Sequence, residues 1–212
     1  MKPDRIARLS ELGVATVYEA AGREGLIDVP LIQTAARLRA AGPARTVLCG
    51  QDDNLMVHAA IERIQPGEVL VIAMPEPAPI ALLGELLAVQ VLARGAAAVL
   101  VDAAVRDIEA IQELGLPVWA RFVRARGATK SKPGNLDVPI LVGGAKISPA
   151  DLVILDSDGA VCVRQERAED VLQAAEARFE KEAVLRKKLA AGELTYDLHN
   201  LRAMVEMKRR NP

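Results

Sequence analysis

GELLAVQVLARGAAAVLVDAAVRD, residues 84–107, decides the fold. It reads as a helix, a tight turn, a buried strand and the start of a second helix. Gly84-Glu85-Leu86-Leu87 opens the first helix and Arg94-Gly95 ends it. Ala96 to Val101 is a continuous apolar run of strand length. Asp102 is expected to close that strand, with Arg106-Asp107 where the next helix begins. Twenty residues lie between Glu85 and Arg106, so a strand folding back along its helix brings the two ends together. A carboxylate (Glu85), a guanidinium (Arg106) and a second carboxylate (Asp107) would then share one spot. Arginine holds a carboxylate through two parallel hydrogen bonds. Two carboxylates with room for water suit a hard divalent cation such as Mg2+ or Mn2+. The same residues have an ordinary reading: an acid favoured by the dipole in a helix first turn, and a surface ion pair. Spacing alone leaves both open.

Upstream, residues 3–12 place Ile6, Leu9 and Leu12 at helical spacing, and Ala15 to Ala21 follows as a second helix. Gly22 to Pro30 is a turn-rich link. Arg37 to Ala41 and Ala44 to Cys49 read as two strands around Gly42-Pro43. Asp52-Asp53-Asn54 precedes a compact helix, Leu55 to Ile64, and any of the three can cap it. Asn54 either caps or faces a pocket. His58, inside that helix, reads as an ordinary hydrogen-bonded helix histidine. Val69 to Met74 is a buried strand. Pro75, Pro77 and Pro79 then forbid regular structure and stiffen a loop that delivers the chain to the Gly84 helix.

Downstream, Asp107 to Leu114 is a helix closed by Gly115, and Leu116 to Phe122 a strand. Arg124 to Gly134 is a basic loop, expected to be mobile and solvated. Val138 to Val142, Leu152 to Leu155 and Ala160 to Val163 are strands. Asp156-Ser157-Asp158-Gly159 is a hairpin turn, where Asp and Gly are at home without any metal. Residues 167–190 form a long charged helix with an interrupted apolar face. Leu194, Leu198, Leu201 and Val205 then repeat at amphipathic spacing. Such stripes need a cover, and a second copy of the chain is the expected one. Lys208-Arg209-Arg210 reads as a solvated tail.

Of 212 residues, 51% are hydrophobic but only 2% aromatic, so a core of Ala, Val, Leu and Ile is expected. Two histidines leave little scope for a His-rich metal site or a Ser-His-Asp arrangement. A net charge of −1 with mixed signs argues against a nucleic-acid binder. No apolar run is long enough for a membrane span, and the charged start MKPDRIARLSELG does not read as a signal peptide. Cys49 and Cys162 read as reduced core thiols of a cytoplasmic protein. Neither GxGxxG nor GxxxxGK[ST] is present, so nucleotide binding is unsupported.

Five blocks in order carry a family resemblance: GVATVYEAAGREGLID (13–28), NLMVHAAIERIQPGEVLV (54–71), an acid followed after twenty residues by Arg-Asp (Glu85, Arg106, Asp107), VPILVGGAKISPADLVILDSDGAVCV (138–163) and EKEAVLRKKLAAGEL (180–194). The chain resembles the RraA-like family. Within it, the likeness is to the class II pyruvate aldolases that cleave 4-hydroxy-4-methyl-2-oxoglutarate and 4-carboxy-4-hydroxy-2-oxoadipate. The last block is similar to the C-terminal extension of that aldolase branch.

The resemblance implies a compact α/β sandwich of the swivelling kind, αββα in type, over residues 1–166, with a helical extension over 167–212 for oligomer contacts. It implies a homotrimer or homohexamer with its site at a subunit interface. Arg106 would bind the oxo acid, together with Gly84, Asn54 and the backbone N–H groups of Leu86 and Leu87 at a helix N-terminus, which suits an anion. Asp107 would hold Mg2+ or Mn2+ directly, Glu85 would act through metal-bound water, and Glu182 of a neighbouring subunit would join that water network, with Glu180 and Glu193 as its competitors. The implied reaction is retro-aldol cleavage of a 4-hydroxy-2-oxo acid to pyruvate and a second oxo acid, with oxaloacetate decarboxylation as a side activity. A Schiff-base route would need a desolvated lysine, for which Lys146 is the sole candidate near apolar strands.

Two departures from the family pattern bear on the pocket. Ala103 stands where Gly is usual after the Asp and would be strained at positive φ. The proline loop replaces a Gly-rich segment. Two other functions compete: a non-catalytic RraA-type regulator of a ribonuclease and an RNA helicase, and a lyase or decarboxylase acting on another oxo acid.

Overall fold

A computed structural model describes residues 1–210, with the side chains of Met204 and of 208–210 outside the description. The chain divides into two units, Met1–Ala175 and Glu176–Pro212. In the first, helices α1 (Pro3–Leu12) and α2 (Val14–Ala20) precede strands β1 (Ile32–Gln33) and β2 (Ala40–Leu48). Then come α3 (Leu55–Ile61), β3 (Val69–Ala73), β4 (Ala81–Leu83), α4 (Glu85–Ala93), β5 (Ala98–Val105), α5 (Ile108–Leu114) and β6 (Val118–Val123). Short strands β7 (Asn135–Leu136), β8 (Ile140–Val142) and β9 (Ala145–Ile147) lead to β10 (Leu152–Asp156), β11 (Gly159–Val163) and helix α6 (Ala168–Ala190).

The sheet runs β1-β6-β5-β3-β2-β10-β11, and its middle four strands, β6, β5, β3 and β2, are parallel. Every residue of β3 and β5 is buried, as expected of parallel strands covered on both faces. Leu70, Ile72, Val99, Val101 and Ala103 join one core with residues of α3, α4 and α5. Val69, Val71, Ala98 and Leu100 point the other way, into a second core with the β8–β9 hairpin and the β10–β11 pair. Helices α1 and α2 pack on β10. The fold is mixed α/β, with a curled sheet between helices, in agreement with the sequence reading.

Several expectations change. Within residues 37–49 there is one strand, not two: β2 (Ala40–Leu48) pairs antiparallel with β10 over 40–43 and parallel with β3 over 44–48. Pro43, which has no N–H to donate, stands where the partner changes. Between the proline loop and the Gly84 helix lies a strand the sequence hid, β4, which pairs parallel with the end of β5. Asp102 does not close β5, which runs on to Val105. Its carboxylate is only 2% exposed, and Arg121 on β6 donates to it over 2.7 Å. Ala103 is a buried β5 residue outside the set with positive φ, so it is unstrained. The 156–159 hairpin turn is as expected, and its Asp156 carboxylate accepts the N–H groups of Val14 and Asp158.

Cys49 and Cys162 are buried free thiols, each pushed up to about 12 by burial. Ala168, Val171, Leu172 and Ala175 anchor the start of α6 in the first unit. In the second unit, the single amphipathic helix expected after Gly192 is two, α7 (Thr195–Leu198) and α8 (Leu201–Arg210), separated at Asn200, which has φ 56°. The Lys208-Arg209-Arg210 side chains, read as a tail, lie outside the described residues. No helix among the described residues is long and apolar enough to cross a membrane.

Candidate active site

Four segments that follow carboxyl ends of parallel strands converge on one cleft, the usual ligand position in open α/β sheets. β2 leads to Asn54 at the start of α3. β4 leads directly to Gly84 and Glu85, β5 to Arg106 and Asp107, and β6 to the loop at 124–134. β4 brings the first pair against the second, because Leu83 pairs with Val105 and its carbonyl accepts the Arg106 N–H over 3.1 Å.

The resulting cleft has a volume of about 420 Å³. Asn54, Gly84, Glu85, Leu86 and Leu87 line it from one side of the chain, and Arg106 and Asp107 from the other. These are all the residues singled out from the sequence except Glu182. That residue lies in the second unit, where it pairs with Arg178 over 2.9 Å. A second, more open cavity of about 610 Å³ shares Glu85, Arg106 and Asp107, so these three form the ridge between two hollows.

Asp107 occupies the N-cap of α5 with φ 60° and ψ 43°. Left-handed backbone is uncommon outside glycine, and Asp is among the few residues that tolerate it. The conformation turns the carboxylate back across the ridge. Its Oδ2 accepts the Glu85 N–H over 3.1 Å and lies 3.5 Å from Arg106 Nε. Gly84 makes this approach possible, since a Cβ there would lie 2.7 Å from Asp107 Oδ2 and 3.1 Å from Arg106 Nε. Gly127 does the same for the guanidinium tip, as its Cβ would lie 2.8 Å from one terminal nitrogen.

Free binding capacity remains. Arg106 is half exposed, with Asp107 its one ion-pair partner among the described residues. The N–H groups of Leu86 and Leu87, in the first turn of the nine-residue helix α4, have no acceptor among the described residues. Asn54 is only 7% exposed and donates from Nδ2 to the Leu82 carbonyl, which leaves its buried Oδ1 without a partner. A buried acceptor in that state calls for a partner that the described residues do not supply.

The donors fit a hard divalent cation. Asp107 keeps its second oxygen after Oδ2 is committed, and the Glu85 carboxylate is exposed with no ion pair among the described residues. Two carboxylates leave most of a coordination sphere to water and substrate, which suits Mg2+ or Mn2+. No cluster of three potential ligands is present among the described residues.

Three features escaped the sequence reading. His58 is not a satisfied helix histidine: it is exposed, makes no hydrogen bond among the described residues, and lines the cleft. The 124–134 loop is tied down instead of free. Its Thr129 hydroxyl and the N–H groups of Ser131 and Lys132 all donate to Oδ2 of Asp53, whose Oδ1 accepts the Leu55 N–H. Burial works against the Asp53 anion, yet these four bonds outweigh it and hold the carboxyl far below the usual range. Finally, Lys130 lies on that pinned loop and faces the same cleft. Lys146, the Schiff-base candidate, lines a different cavity, with Arg164 and Arg167.

The family model described as RraA-like, Aldolase/RraA, matches residues 14–162. A relative from Halalkalibacterium halodurans, named "Putative 4-hydroxy-4-methyl-2-oxoglutarate aldolase", is 37% identical over 134 residues, or 63% of this chain and 64% of that protein. The chain thus spans less than two thirds of that relative's length. Among solved structures, Streptomyces coelicolor RraAS2, an unusual member of the RNase ES inhibitor RraA protein family, superposes with a TM-score of 0.78 and 29% identity, covering 88% of this chain and 97% of that one. An uncharacterized protein from Pseudomonas syringae pv. tomato shares the fold, with a TM-score of 0.80 and 22% identity over 92% of this chain and 96% of that one.

Proposed function

The chain belongs to the RraA-like family, and on that premise we propose that it is a divalent-metal-dependent pyruvate aldolase, a carbon–carbon lyase that cleaves a 4-hydroxy-2-oxo dicarboxylic or tricarboxylic acid to pyruvate and a second oxo acid. The observation that carries the reading is the ridge itself: Glu85, Arg106 and Asp107 interlocked beside two unused N–H groups of the α4 first turn.

In this reading Arg106 pairs with the oxo-acid carboxylate, and the Leu86 and Leu87 N–H groups hold its other edge at the positive end of the helix. Asn54 Oδ1 accepts the hydrogen bond of the 4-hydroxyl. Glu85, through a water, receives that hydroxyl's proton as the C3–C4 bond breaks. The electron pair passes into the pyruvate enolate, and the proton returns to C3. Asp107, with Glu85 through water, would hold Mg2+ or Mn2+, which supplies Lewis-acid stabilisation of enolate charge. Oxaloacetate decarboxylation forms the same enolate and is the expected side activity.

A homotrimer or homohexamer is part of the proposal. Leu86, Val89 and Leu92 are 78%, 42% and 37% exposed along one side of α4, an apolar stripe beside the cleft that a second copy would cover. Glu182 of the partner subunit would then reach the water network. The solution mass by light scattering tests the assembly.

Pyruvate release, followed with a coupled dehydrogenase, tests the activity. The substrates are 4-carboxy-4-hydroxy-2-oxoadipate, 4-hydroxy-4-methyl-2-oxoglutarate and oxaloacetate, each with Mg2+ and with EDTA. Mg2+-dependent release from the aldols is expected. Release from oxaloacetate alone would move the function to decarboxylation. No release from any of them would favour the second reading, a non-catalytic RraA-type regulator, which rests on the likeness to the Streptomyces protein over 88% of this chain.

A further inference from the structure

We propose that Gly127 is a positioning residue for Arg106: its bare backbone is the fixed stop against which the guanidinium rests, and it sets the direction from which Arg106 meets the oxo-acid carboxylate. The proposal rests on the oxo-acid reading above. It adds a residue of the 124–134 loop that acts on the ligand only through Arg106.

A Cβ placed on Gly127 would have two atoms within 4 Å apart from its chain neighbours, Arg106 Nη1 at 2.8 Å and Arg106 Cζ at 3.7 Å. Gly127 also stands outside the set of glycines with positive φ, so the backbone there does not demand glycine. The missing side chain therefore serves the guanidinium and not the loop. Gly84 is different, because its Cβ would meet Asp107 Oδ2 as well as Arg106 Nε and Cγ. The two glycines belong to separate elements and face different parts of one side chain, Gly84 the stem and Gly127 the tip. Arg106 Nε lies 3.5 Å from Asp107 Oδ2, and Nη2 has no ion-pair partner among the described residues. With its tip stopped on one side and Nε turned to Asp107, the guanidinium has Nη2 left for a ligand.

A stop has to be rigid, and the backbone makes this one so. Gly127 forms a parallel bridge with Ala81, the first residue of β4. Ala81 donates its N–H to the Arg126 carbonyl over 2.7 Å, and its own carbonyl accepts the Ala128 N–H over 3.3 Å, so Gly127 is tied to the sheet on both sides. The bonds of Thr129, Ser131 and Lys132 to the buried Asp53 carboxylate hold the loop beyond. β4 in turn pairs with the end of β5, the strand that leads into Arg106. Arg106 and its stop thus hang from one pair of strands. A long arginine side chain gains from such a stop, because its planar fork serves a carboxylate only when it is aimed correctly.

The test is a double-mutant cycle read by the calorimetric affinity for pyruvate in the presence of Mg2+. It compares the intact protein, Gly127→Ala, Arg106→Lys and the double variant. The new methyl meets only the far end of a flexible side chain, so Gly127→Ala is expected to keep its melting temperature within a few degrees. Its pyruvate affinity should fall at least about fivefold, as the guanidinium is pushed off its aim. Lysine has no Nη1 to collide, so in the Arg106→Lys background the same methyl should change the affinity by less than about twofold. Unchanged affinity in Gly127→Ala would overturn the assignment. So would an equal loss in both backgrounds, a melting temperature lowered by many degrees, or the absence of pyruvate binding to the intact protein. Failure of the catalytic reading is a separate result: no pyruvate release from the aldols, with pyruvate binding that Gly127→Ala weakens only when Arg106 is present, retires the aldolase and keeps the positioning role.

Discussion

Asp107 Oδ2 accepts the backbone N–H of Glu85 over 3.1 Å, joining the start of α5 to the first turn of α4 across 22 positions of chain. The bond exists because Asp107 takes up a left-handed conformation and because Gly84 leaves room for it. Strain of that kind persists only where the surroundings impose it, and here it lies at the centre of the candidate site.

Substitution at Asp107 should separate shape from charge. Asn tolerates left-handed backbone and retains an acceptor for the Glu85 N–H, so Asp107→Asn is expected to change stability by less than about 1 kcal/mol. Its pyruvate release should nevertheless fall at least 100-fold. Asp107→Ala loses the acceptor and adds about 1–2 kcal/mol of backbone strain. Denaturant midpoints beside turnover measure the contrast, and an Asn variant with full activity would remove Asp107 from the chemistry.

Gly84→Ala should damage the site while sparing the fold. The backbone at Gly84 is extended, with φ −142°, so Ala fits it without strain. The added Cβ, however, collides with the Asp107 carboxylate and the Arg106 side chain. A melting temperature within a few degrees of the parent, with turnover down at least tenfold, is the expected pair of results.

Asp53 should make the fold acid-sensitive. Its folded-state carboxyl is depressed, so its contribution is complete above the unfolded value near 4 and is lost as pH falls toward the folded value. Asp53→Asn should cost about 3 kcal/mol at pH 7, because charged hydrogen bonds to Leu55, Thr129, Ser131 and Lys132 are weakened together. Below pH 4 the gap between variant and parent should narrow. Urea unfolding at pH 7 and pH 3.5 checks both statements.

Asp102 has the opposite sign. Burial raises its carboxyl, and Arg121 only partly offsets this. A raised folded value means that the stability contribution is present below the unfolded value and is lost as pH rises through the folded one. Arg121→Leu leaves the buried anion unpaired and is expected to cost about 3–5 kcal/mol at pH 7. The loss should shrink as pH falls and the buried carboxyl takes up its proton, and urea unfolding at pH 7 and at acid pH reads the difference.

These residues also show what a linear reading reaches. Glu85, Arg106 and Asp107 were visible because an apolar strand between two helices must return the chain to the same edge, and each of the three sits beside a strand or helix end. Asp102 was misread as a strand end because its neutralising partner is 19 positions away on β6. β4 was hidden because three residues after a proline loop have no period of their own. His58 reads from sequence as an ordinary helix histidine, and Lys130 as one charge of a solvated loop, for a related reason. What brings the Lys130 loop beside α3 is the Asp53 carboxylate, bonded to residues 76 to 79 positions downstream, and such a hub leaves no local pattern. The break at Asn200 depends on one left-handed residue inside an otherwise regular amphipathic repeat.

The most direct measurement is turnover by Arg106→Ala, with pyruvate release from 4-hydroxy-4-methyl-2-oxoglutarate and 4-carboxy-4-hydroxy-2-oxoadipate assayed in Mg2+ beside the unaltered protein. Arg106 is half exposed and pairs only with Asp107 among the described residues, so the variant should fold normally. A loss of at least 100-fold in release from both substrates, with the melting temperature preserved, is the result expected of an oxo-acid site on this ridge. Unchanged turnover would contradict it.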